Sequence, residues 1–267
     1  MSESETESVS RGASGEPIIR LERIAKAFGG HDVFRDLTLA FSQGRTTVVL
    51  GPSGVGKSIM LKLILGLLKP DRGRVWIDGT DITGFSERQL VPIRARFGMV
   101  FQGAALFDYL TVYENVAFAL REHTDLEEEQ IGEVVRRKLA LVGMEGTEKL
   151  LPEQLSGGMK KRVGLARAIA MDPEAILYDE PTMGLDPVTA DRINDLILRC
   201  QRELRTTSIV VTHDVASAYR VGDRLVMLDQ GDIIADGPPE TIRRHPDVRV
   251  QRFIQGDAEL SGAAGAE

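Results

Sequence analysis

A glycine-rich stretch at residues 51–58 has the residue types and spacing of a phosphate-binding loop. It reads GPSGVGKS and matches the pattern G-x-x-x-x-G-K-[ST]. Glycines let backbone N–H groups turn toward phosphate oxygens, a following helix adds its positive N-terminal end, and a lysine can reach the terminal phosphates. A coincidental glycine turn is the alternative, but a strand-like run, TTVVL, precedes the stretch and a helix-like run, SIMLKLILGLL, follows it. We therefore expect a triphosphate to be bound by Gly51, Pro52, Ser53, Gly54, Val55, Gly56, Lys57 and Ser58.

Two acidic residues end the apolar run AILYDE at residues 175–180. Such a run predicts a buried strand, which would deliver both carboxylates to one end of a sheet. Mg²⁺ prefers oxygen ligands, so Asp179 and the hydroxyl of Ser58 are candidate ligands. Glu180 could accept a proton from an attacking water or orient it. A DE pair alone is a weak signal. Together with the phosphate loop it predicts an ATPase that uses Mg²⁺, without choosing among transport, repair and motor functions.

The run LSGGM at residues 155–159, followed by KKRVGLARAIA, resembles the signature motif of ABC ATPases. Ser156, Gly157 and Gly158 would open a helix, where exposed backbone N–H groups and a hydroxyl favour an anion. The resemblance implies that this turn grips the γ-phosphate bound to a second copy of the chain. A lone SGG would instead be an N-cap turn. Met159 departs from the usual motif, which has glutamine at this position.

Further residues fall where the ABC family has functional positions. Gln102, after the strand-like GMVF, matches the glutamine that touches Mg²⁺ and reports the nucleotide state to a membrane partner. Asp186, in GLD at residues 184–186, matches the loop that crosses to the other copy, and His213, after SIVVT, matches the histidine that contacts the γ-phosphate. Phe28 lies where the family stacks an aromatic ring on adenine, with core packing as the alternative. The expected catalytic residues are Lys57, Gln102, Glu180 and His213.

Composition narrows the classes of partner. The chain has 267 residues, a formal net charge of -7 and one cysteine, Cys200. The acidic balance argues against nucleic acid, whose binding depends on clustered Lys and Arg, and the basic run KKR at 160–162 is interpreted as a solvated helix face. Cys200 follows Ile193 and Ile197 at helical spacing and is expected to face the core. No apolar run reaches the roughly 20 residues that cross a bilayer, and residues 1–16 lack the apolar segment of a secretory signal.

Strand-like and helix-like runs alternate along the chain, which predicts an α/β fold. The resemblance implies an ABC-type P-loop ATPase with a RecA-like core, an antiparallel β subdomain and an α-helical subdomain. The predicted parts are a disordered acidic tail at 1–16, an ATPase domain at 17–256 with its α/β core at 17–90 and 156–240 and its helical subdomain at 91–155, and a C-terminal extension at 241–267.

Three longer sequence segments extend the resemblance to the ATPases of Mla and Mce-type lipid transport systems. They are FQGAALFDYLTVYENVAFALREHTDL, LVGMEGTEKLLPEQLSGGMKKRVGLARAIAMDPE and HPDVRVQRFIQG, and the similarity covers residues 17–256. It implies an ATP-hydrolysing subunit for phospholipid transport, peripheral on the cytoplasmic face of the inner (plasma) membrane. The implied partners are a second copy, a multispanning membrane permease, a lipid-binding substrate protein and a small regulatory subunit. The alternatives are an importer ATPase for another substrate and a non-transport ABC switch.

The aromatic stretch at residues 101–109 directly follows the strand-like run. Exposed aromatic residues are typical of interaction sites, so we expect the membrane partner to dock here. Packing within the helical subdomain is the alternative.

Overall fold

The computed structural model describes residues 17–256. The predicted acidic tail at 1–16 and the end of the predicted extension, 257–267, lie outside the described residues. No helix in the described part is long and apolar enough to span a membrane.

Four strands form an antiparallel sheet. In spatial order they are β2 (His31–Ser42), β1 (Pro17–Phe28), β4 (Arg72–Ile77) and β5 (Thr80–Asp81). Gly29 and Gly30, both at positive φ, form the turn between β1 and β2. Ile19 and Leu21 are fully buried while Arg20 between them is exposed, so one face of this sheet packs on the core.

Six strands form the second sheet. In spatial order they are β10 (Asp232–Gly237), β9 (Arg224–Asp229), β3 (Thr46–Leu50), β8 (Thr207–Thr212), β7 (Ala175–Asp179) and β6 (Phe97–Val100). All neighbours run parallel except β9 and β10, which form a hairpin. Strands β3, β7 and β8 are buried along their whole length, which explains why consecutive apolar residues occur in each instead of an alternation with exposed polar ones. Because the C-terminal ends of parallel strands share one edge, the loops after β3, β6, β7 and β8 meet there.

Helices cover both faces of the six-stranded sheet. On one face α1 (Lys57–Ile64) packs together with the antiparallel sheet. The other face carries α5 (Gly157–Ala168), α6 (Pro187–Leu204) and α7 (Val215–Val221). On α5 lie α3 (Val112–His123) and α4 (Glu128–Leu141), and the remaining helices are α2 (Glu87–Arg94), α8 (Pro239–Arg243) and α9 (Val248–Gln255). Cys200 on α6 is fully buried, as its spacing predicts, and burial raises the pKa of its thiol to about 12.

Strand β6 lies inside the range predicted for the helical subdomain, 91–155. Its residues pair in parallel with β7, from Phe97 beside Ala175 to Val100 beside Tyr178, so hydrogen bonding joins them to the core sheet. A run of four residues between helical patterns carries too little periodicity to set such a boundary. The helical part proper therefore begins after β6, and the division of the chain into subdomains stays a prediction.

Gly98 in β6 provides a test of how tightly this strand is packed. A Cβ at position 98 would overlap the backbone carbonyl oxygen of Ala168, at the end of α5. We expect Gly98→Ala to lower the free energy of unfolding by about 1–3 kcal/mol, because neither the strand nor the helix backbone yields cheaply. Gly84→Ala is the matched control, since nothing lies within 4 Å of its added methyl. Thermal unfolding of both variants measures the difference, and equal melting temperatures would contradict the packing described.

Candidate active site

The phosphate loop is wedged between strands β2 and β9. Gly56 has φ +107, and a Cβ there would lie 2.5 Å from Val33 Cγ1 and 2.7 Å from Phe34 Cζ. A Cβ on Gly51 would overlap the carbonyl oxygen of Leu228. Both positions therefore require glycine for conformation or for close approach, independently of any ligand.

Lys57 is the first residue of α1 and is only 5% exposed. Its ammonium donates to the carbonyl oxygens of Gly51 at 2.7 Å and Pro52 at 3.0 Å, and it lies 3.3 Å from Glu180 Oε1. Burial lowers the pKa of Lys57, and the nearby carboxylates of Glu180 and Asp179 oppose that shift. A buried cation is thus held at the mouth of the loop, where it can meet phosphate oxygens.

Two of the three predicted magnesium ligands lie together. Ser58 Oγ donates to Asp179 Oδ1 at 2.8 Å, which places a hydroxyl and a carboxylate side by side. Burial raises the pKa of Asp179 in spite of this hydrogen bond and of the charge of Lys57. The third, Gln102, is exposed, and its amide Nε2 lies 2.8 Å from Met183 Sδ rather than beside the pair.

Glu180 is held through both carboxylate oxygens. Oε1 faces Lys57, while Oε2 accepts a hydrogen bond from Thr212 Oγ1 at 3.0 Å and lies 3.0 Å from His213 Nδ1 and 3.3 Å from the His213 backbone N–H. Its backbone φ of +45 is in the left-handed region that a non-glycine residue rarely adopts. A carboxylate fixed in this way can orient a water or accept its proton.

Thr212 was missed among the predicted site residues. The signal that could have found it is its position, since it is a hydroxyl residue at the end of an otherwise apolar strand, directly before His213. Strand ends at this edge of a parallel sheet carry functional side chains.

A cavity of about 370 Å³ lies over these groups. It is lined by the phosphate loop together with Gln102, Glu180 and His213. Its donors are the loop N–H groups and the ammonium of Lys57, which suit phosphate oxygens. The oxygen pair of Ser58 and Asp179 suits Mg²⁺, which takes one or two protein oxygens and completes its shell with phosphate and water. The residues present therefore fit a magnesium nucleotide.

The signature turn lies apart from this cavity. Ser156 caps α5 by accepting the Met159 N–H at 3.3 Å, and both Ser156 and Gly157 are exposed. A Cβ on Gly158 would lie 2.6 Å from Thr189 Cγ2, so the turn packs closely on α6. Residues 156–158 do not line the cavity over the phosphate loop of their own chain. Ser156 and Gly157 are thus at the surface, away from the phosphate loop of their own chain.

Asp186 and Phe28 are both at the surface. Asp186 caps α6, accepting the Thr189 N–H at 3.0 Å, and hydrogen bonds with the side chain and the backbone of Thr189 lower the pKa of its carboxyl. Phe28 is 44% exposed at the end of β1, with Lys26 Nζ 5.1 Å from the ring centroid. That exposure argues against the alternative of a core phenylalanine and leaves a ring face open for stacking.

Lys161 corrects the interpretation of residues 160–162 as a solvated helix face. It is only 7% exposed, and its ammonium donates to the carbonyl oxygens of Gln102 and Glu180, the latter at 3.2 Å. Lys160 and Arg162 are partly exposed, as predicted. Charge runs do not reveal which member turns inward, because that depends on what packs against the helix.

Comparisons with known proteins identify the family. Residues 34–183 match the family model described as ABC transporter. The "Probable ribonucleotide transport ATP-binding protein mkl" of Mycobacterium tuberculosis is 44% identical over 89% of this chain, and the match spans 66% of that relative, just under two thirds of its length. The "Intermembrane phospholipid transport system ATP-binding protein MlaF" is 41% identical in Haemophilus influenzae, over 91% of this chain and 92% of the relative. In Escherichia coli it is 38% identical, over 91% and 90%.

Solved structures agree with the fold. The dimeric ATP-binding cassette MJ0796, in a post-hydrolysis state bound to ADP and Pi, is 32% identical with a TM-score of 0.76, covering 82% of this chain and 98% of that chain. The cbiO1 protein of Clostridium perfringens, part of the ABC transporter complex cbiONQ, is 30% identical with a TM-score of 0.80, covering 92% and 99%. The predicted ABC-type fold and the resemblance to Mla-type ATPases are confirmed. The chain belongs to the ABC transporter family and carries its ATP-binding cassette.

Proposed function

We propose that this chain is the ATP-hydrolysing subunit of an ABC transport complex that moves phospholipids between membranes. One observation carries the proposal of hydrolysis. The carboxylate of Glu180 is fixed between Lys57 and the pair Thr212 and His213, at the rim of a cavity that the phosphate loop lines. A carboxylate held at that point serves water attack, whereas binding alone would need only the loop.

Each group has a role in phosphoryl transfer to water. The loop N–H groups and Lys57 bind the β- and γ-phosphates, and Glu180 orients the attacking water and accepts its proton. His213, whose Nδ1 already lies against Glu180, would contact the γ-phosphate. Mg²⁺, held by Ser58 and Asp179 with Gln102 joining, would neutralise charge on the phosphate oxygens.

We further propose that the active site is completed by a second copy. In the signature turn, Ser156 to Gly158, the first two residues are exposed, as is Asp186, and all four lie away from the cavity over the phosphate loop of their own chain. The dimeric state of the related cassette MJ0796 supports this arrangement. ATP would then hold two copies together until it is cleaved, because a ligand that binds only the dimer stabilises it.

The proposed cargo follows from the relatives that match along their whole length. MlaF proteins, named for intermembrane phospholipid transport, are covered to 90% or more by this chain. The mkl protein, named for ribonucleotide transport, is more similar in identity but is covered only to 66%. A ribonucleotide is therefore the second candidate cargo, and an importer for another substrate or a non-transport switch ranks below both.

The aromatic patch formed by Phe107, Tyr109 and Phe118 is the proposed docking surface for a multispanning permease. Phe107 and Phe118 pack against each other with ring centroids 4.9 Å apart and ring planes tilted by 45°, and Tyr109 is 77% exposed. The patch follows Gln102 closely in the chain, so a partner bound there would be coupled to the nucleotide site. Docking there would hold the chain at the cytoplasmic face of the inner membrane, with a lipid-binding substrate protein and a small regulatory subunit as further proposed partners.

Replacing the proposed base separates ATP binding from hydrolysis. Glu180→Gln removes the proton acceptor but keeps the shape of the side chain, so we expect kcat to fall by about 10²-fold or more and ATP to stabilise a dimer. Steady-state ATPase assays and size-exclusion chromatography with Mg²⁺ and ATP measure both effects. Glu129→Gln, at an exposed position of α4, is the matched control. Equal turnover in the two variants would reject the assignment.

The charge of Asp179 is expected to lower the stability of the fold while it serves metal binding. Burial raises its folded pKa above the unfolded value of 3.8, so the charged form destabilises the fold at neutral pH. In EDTA at pH 7, Asp179→Asn should raise the free energy of unfolding by about 0.5–2 kcal/mol while Mg²⁺-dependent hydrolysis is lost.

The pH dependence of this gain has a definite sign. The gain should shrink as pH falls through the folded pKa of Asp179 and vanish below the unfolded value, where both states are protonated. Asp125→Asn, at an exposed site, should change neither stability nor activity. Thermal melts from pH 7 down to about pH 3 test this, and an Asp179→Asn variant that is destabilised at pH 7 would contradict it.

Transport itself tests the proposed cargo. The chain is purified with the membrane protein that copurifies from its host and reconstituted in vesicles that contain a fluorescent phosphatidylglycerol. We expect ATP-dependent movement of the lipid between vesicles, and no movement when the complex carries Glu180→Gln. Uptake of a labelled ribonucleotide without lipid movement would replace the proposed cargo with the second candidate.

A further inference from the structure

One face of the signature helix α5 packs against the loop that follows β6. Lys161, Gly164 and Arg167 lie at intervals of three residues on this face, and each contacts the main chain of that loop, residues 102–105. The Cβ position of Gly164 lies 3.3 Å from the carbonyl oxygen of Ala104, which marks a close approach of helix and loop. The loop includes Gln102 and leads into the aromatic patch.

Two cations make the polar contacts of this face. Arg167 donates to the carbonyl oxygens of Ala104 at 3.0 Å and Ala105 at 2.7 Å, and both alanines have positive φ, 61 and 48. These contacts hold the loop in a conformation that alanine rarely adopts. Lys161, six residues or about 1.7 turns earlier, donates to the carbonyl oxygen of Gln102 at the start of the loop.

Lys161 differs from Arg167 because it also reaches the main chain of Glu180. Its ammonium donates to the Glu180 carbonyl oxygen at 3.2 Å, so one buried charge joins the backbones of Gln102 and Glu180. Burial lowers the pKa of Lys161, and the charges of Asp179 and Glu180 oppose that shift. A buried cation needs hydrogen bonds to offset its loss of water, and the carbonyl oxygens of Gln102 and Glu180 accept those of Lys161.

Lys161 is also rigidly connected to the signature turn. It lies five residues after Ser156, and α5 is continuous from Gly157 to Ala168. A shift of the helix N-terminus therefore shifts the ammonium, and with it the carbonyl groups of Gln102 and Glu180.

We propose that Lys161 is a positioning residue that couples the two nucleotide sites of the dimer. The inference rests on the proposed function, because it requires the signature turn to bind the nucleotide of the second copy. When that turn engages phosphate in one site, α5 moves Lys161, and Lys161 sets the position of Gln102 and Glu180 in the other site. Hydrolysis in the dimer is then positively cooperative in ATP, and the cooperativity depends on this one side chain.

The experiment compares three variants of the full-length chain. Lys161→Met removes the donors and keeps the side-chain length, Lys161→Arg keeps the charge and donors, and Lys160→Met is the matched control on the same helix. Lys160 makes no side-chain hydrogen bond or ion pair within residues 17–256. Readouts are kcat, the Hill coefficient for ATP, the affinity of the single chain for a fluorescent ATP analogue, and hydrogen–deuterium exchange of the backbone.

Lys161→Met is expected to lose about tenfold in kcat, with the affinity for the analogue within about twofold of wild type. Its Hill coefficient should fall from near 2 toward about 1. Amide exchange should rise in both 102–105 and 180–183. Lys160→Met should resemble wild type, and Lys161→Arg should restore most of the kcat and the cooperativity.

Two results would overturn the proposal. One is a Lys161→Met variant with the kcat and Hill coefficient of Lys160→Met, and the other is unchanged exchange in both segments. If Lys161→Met does not fold, Lys161→Gln takes its place, and equal kcat values for Lys161→Gln and Lys161→Arg count against the proposal. A wild-type chain that hydrolyses no ATP rejects the proposed function instead, and the exchange measurement still decides whether Lys161 joins the two segments.

Discussion

The ion pair between Lys57 and Glu180 is the interaction on which the rest of the site depends. It joins the phosphate loop to the end of β7, and both partners are buried. A buried charge without its partner is strongly destabilising, so the loop, the strand order and the register of the sheet are tied together. The neighbouring hydrogen bond from Ser58 to Asp179 links the same two segments a second time, across 121 residues of sequence. The same contacts between the phosphate loop and the end of β7 therefore build the site and hold two distant segments of the fold together.

A second constraint acts on the surface proposed to contact another copy. Gly158 at the signature turn packs on Thr189 of α6, and Thr189 is also the residue whose N–H is capped by Asp186. The signature turn and the Asp186 loop are thus parts of one packed unit. Any displacement of this unit acts on both elements together, which suits the proposed contact with the nucleotide of a second copy.

Sequence reasoning found the residues whose chemistry depends on type and spacing. The phosphate loop, Asp179 with Glu180, and His213 are brought to one edge of the parallel sheet, as their positions after strand-like runs predicted. Thr212 and Lys161 were missed because their roles come from tertiary contacts between segments far apart in the chain. The position of β6 was ambiguous for a related reason, since four residues contain hardly two periods of a strand. Gln102 was expected beside Mg²⁺, yet its amide lies against Met183, and local sequence cannot specify that side-chain choice.

The burial of Cys200 has a practical consequence. It is the chain's sole thiol, fully enclosed on α6, and its high pKa leaves almost no thiolate at neutral pH. Maleimide and methanethiosulfonate reagents react with thiolates, so they should leave Cys200 unmodified in the folded chain. A cysteine introduced at the surface would then accept a dye or spin label selectively, with no need to engineer a cysteine-free background. Distances between two labelled copies could then be measured during a catalytic cycle.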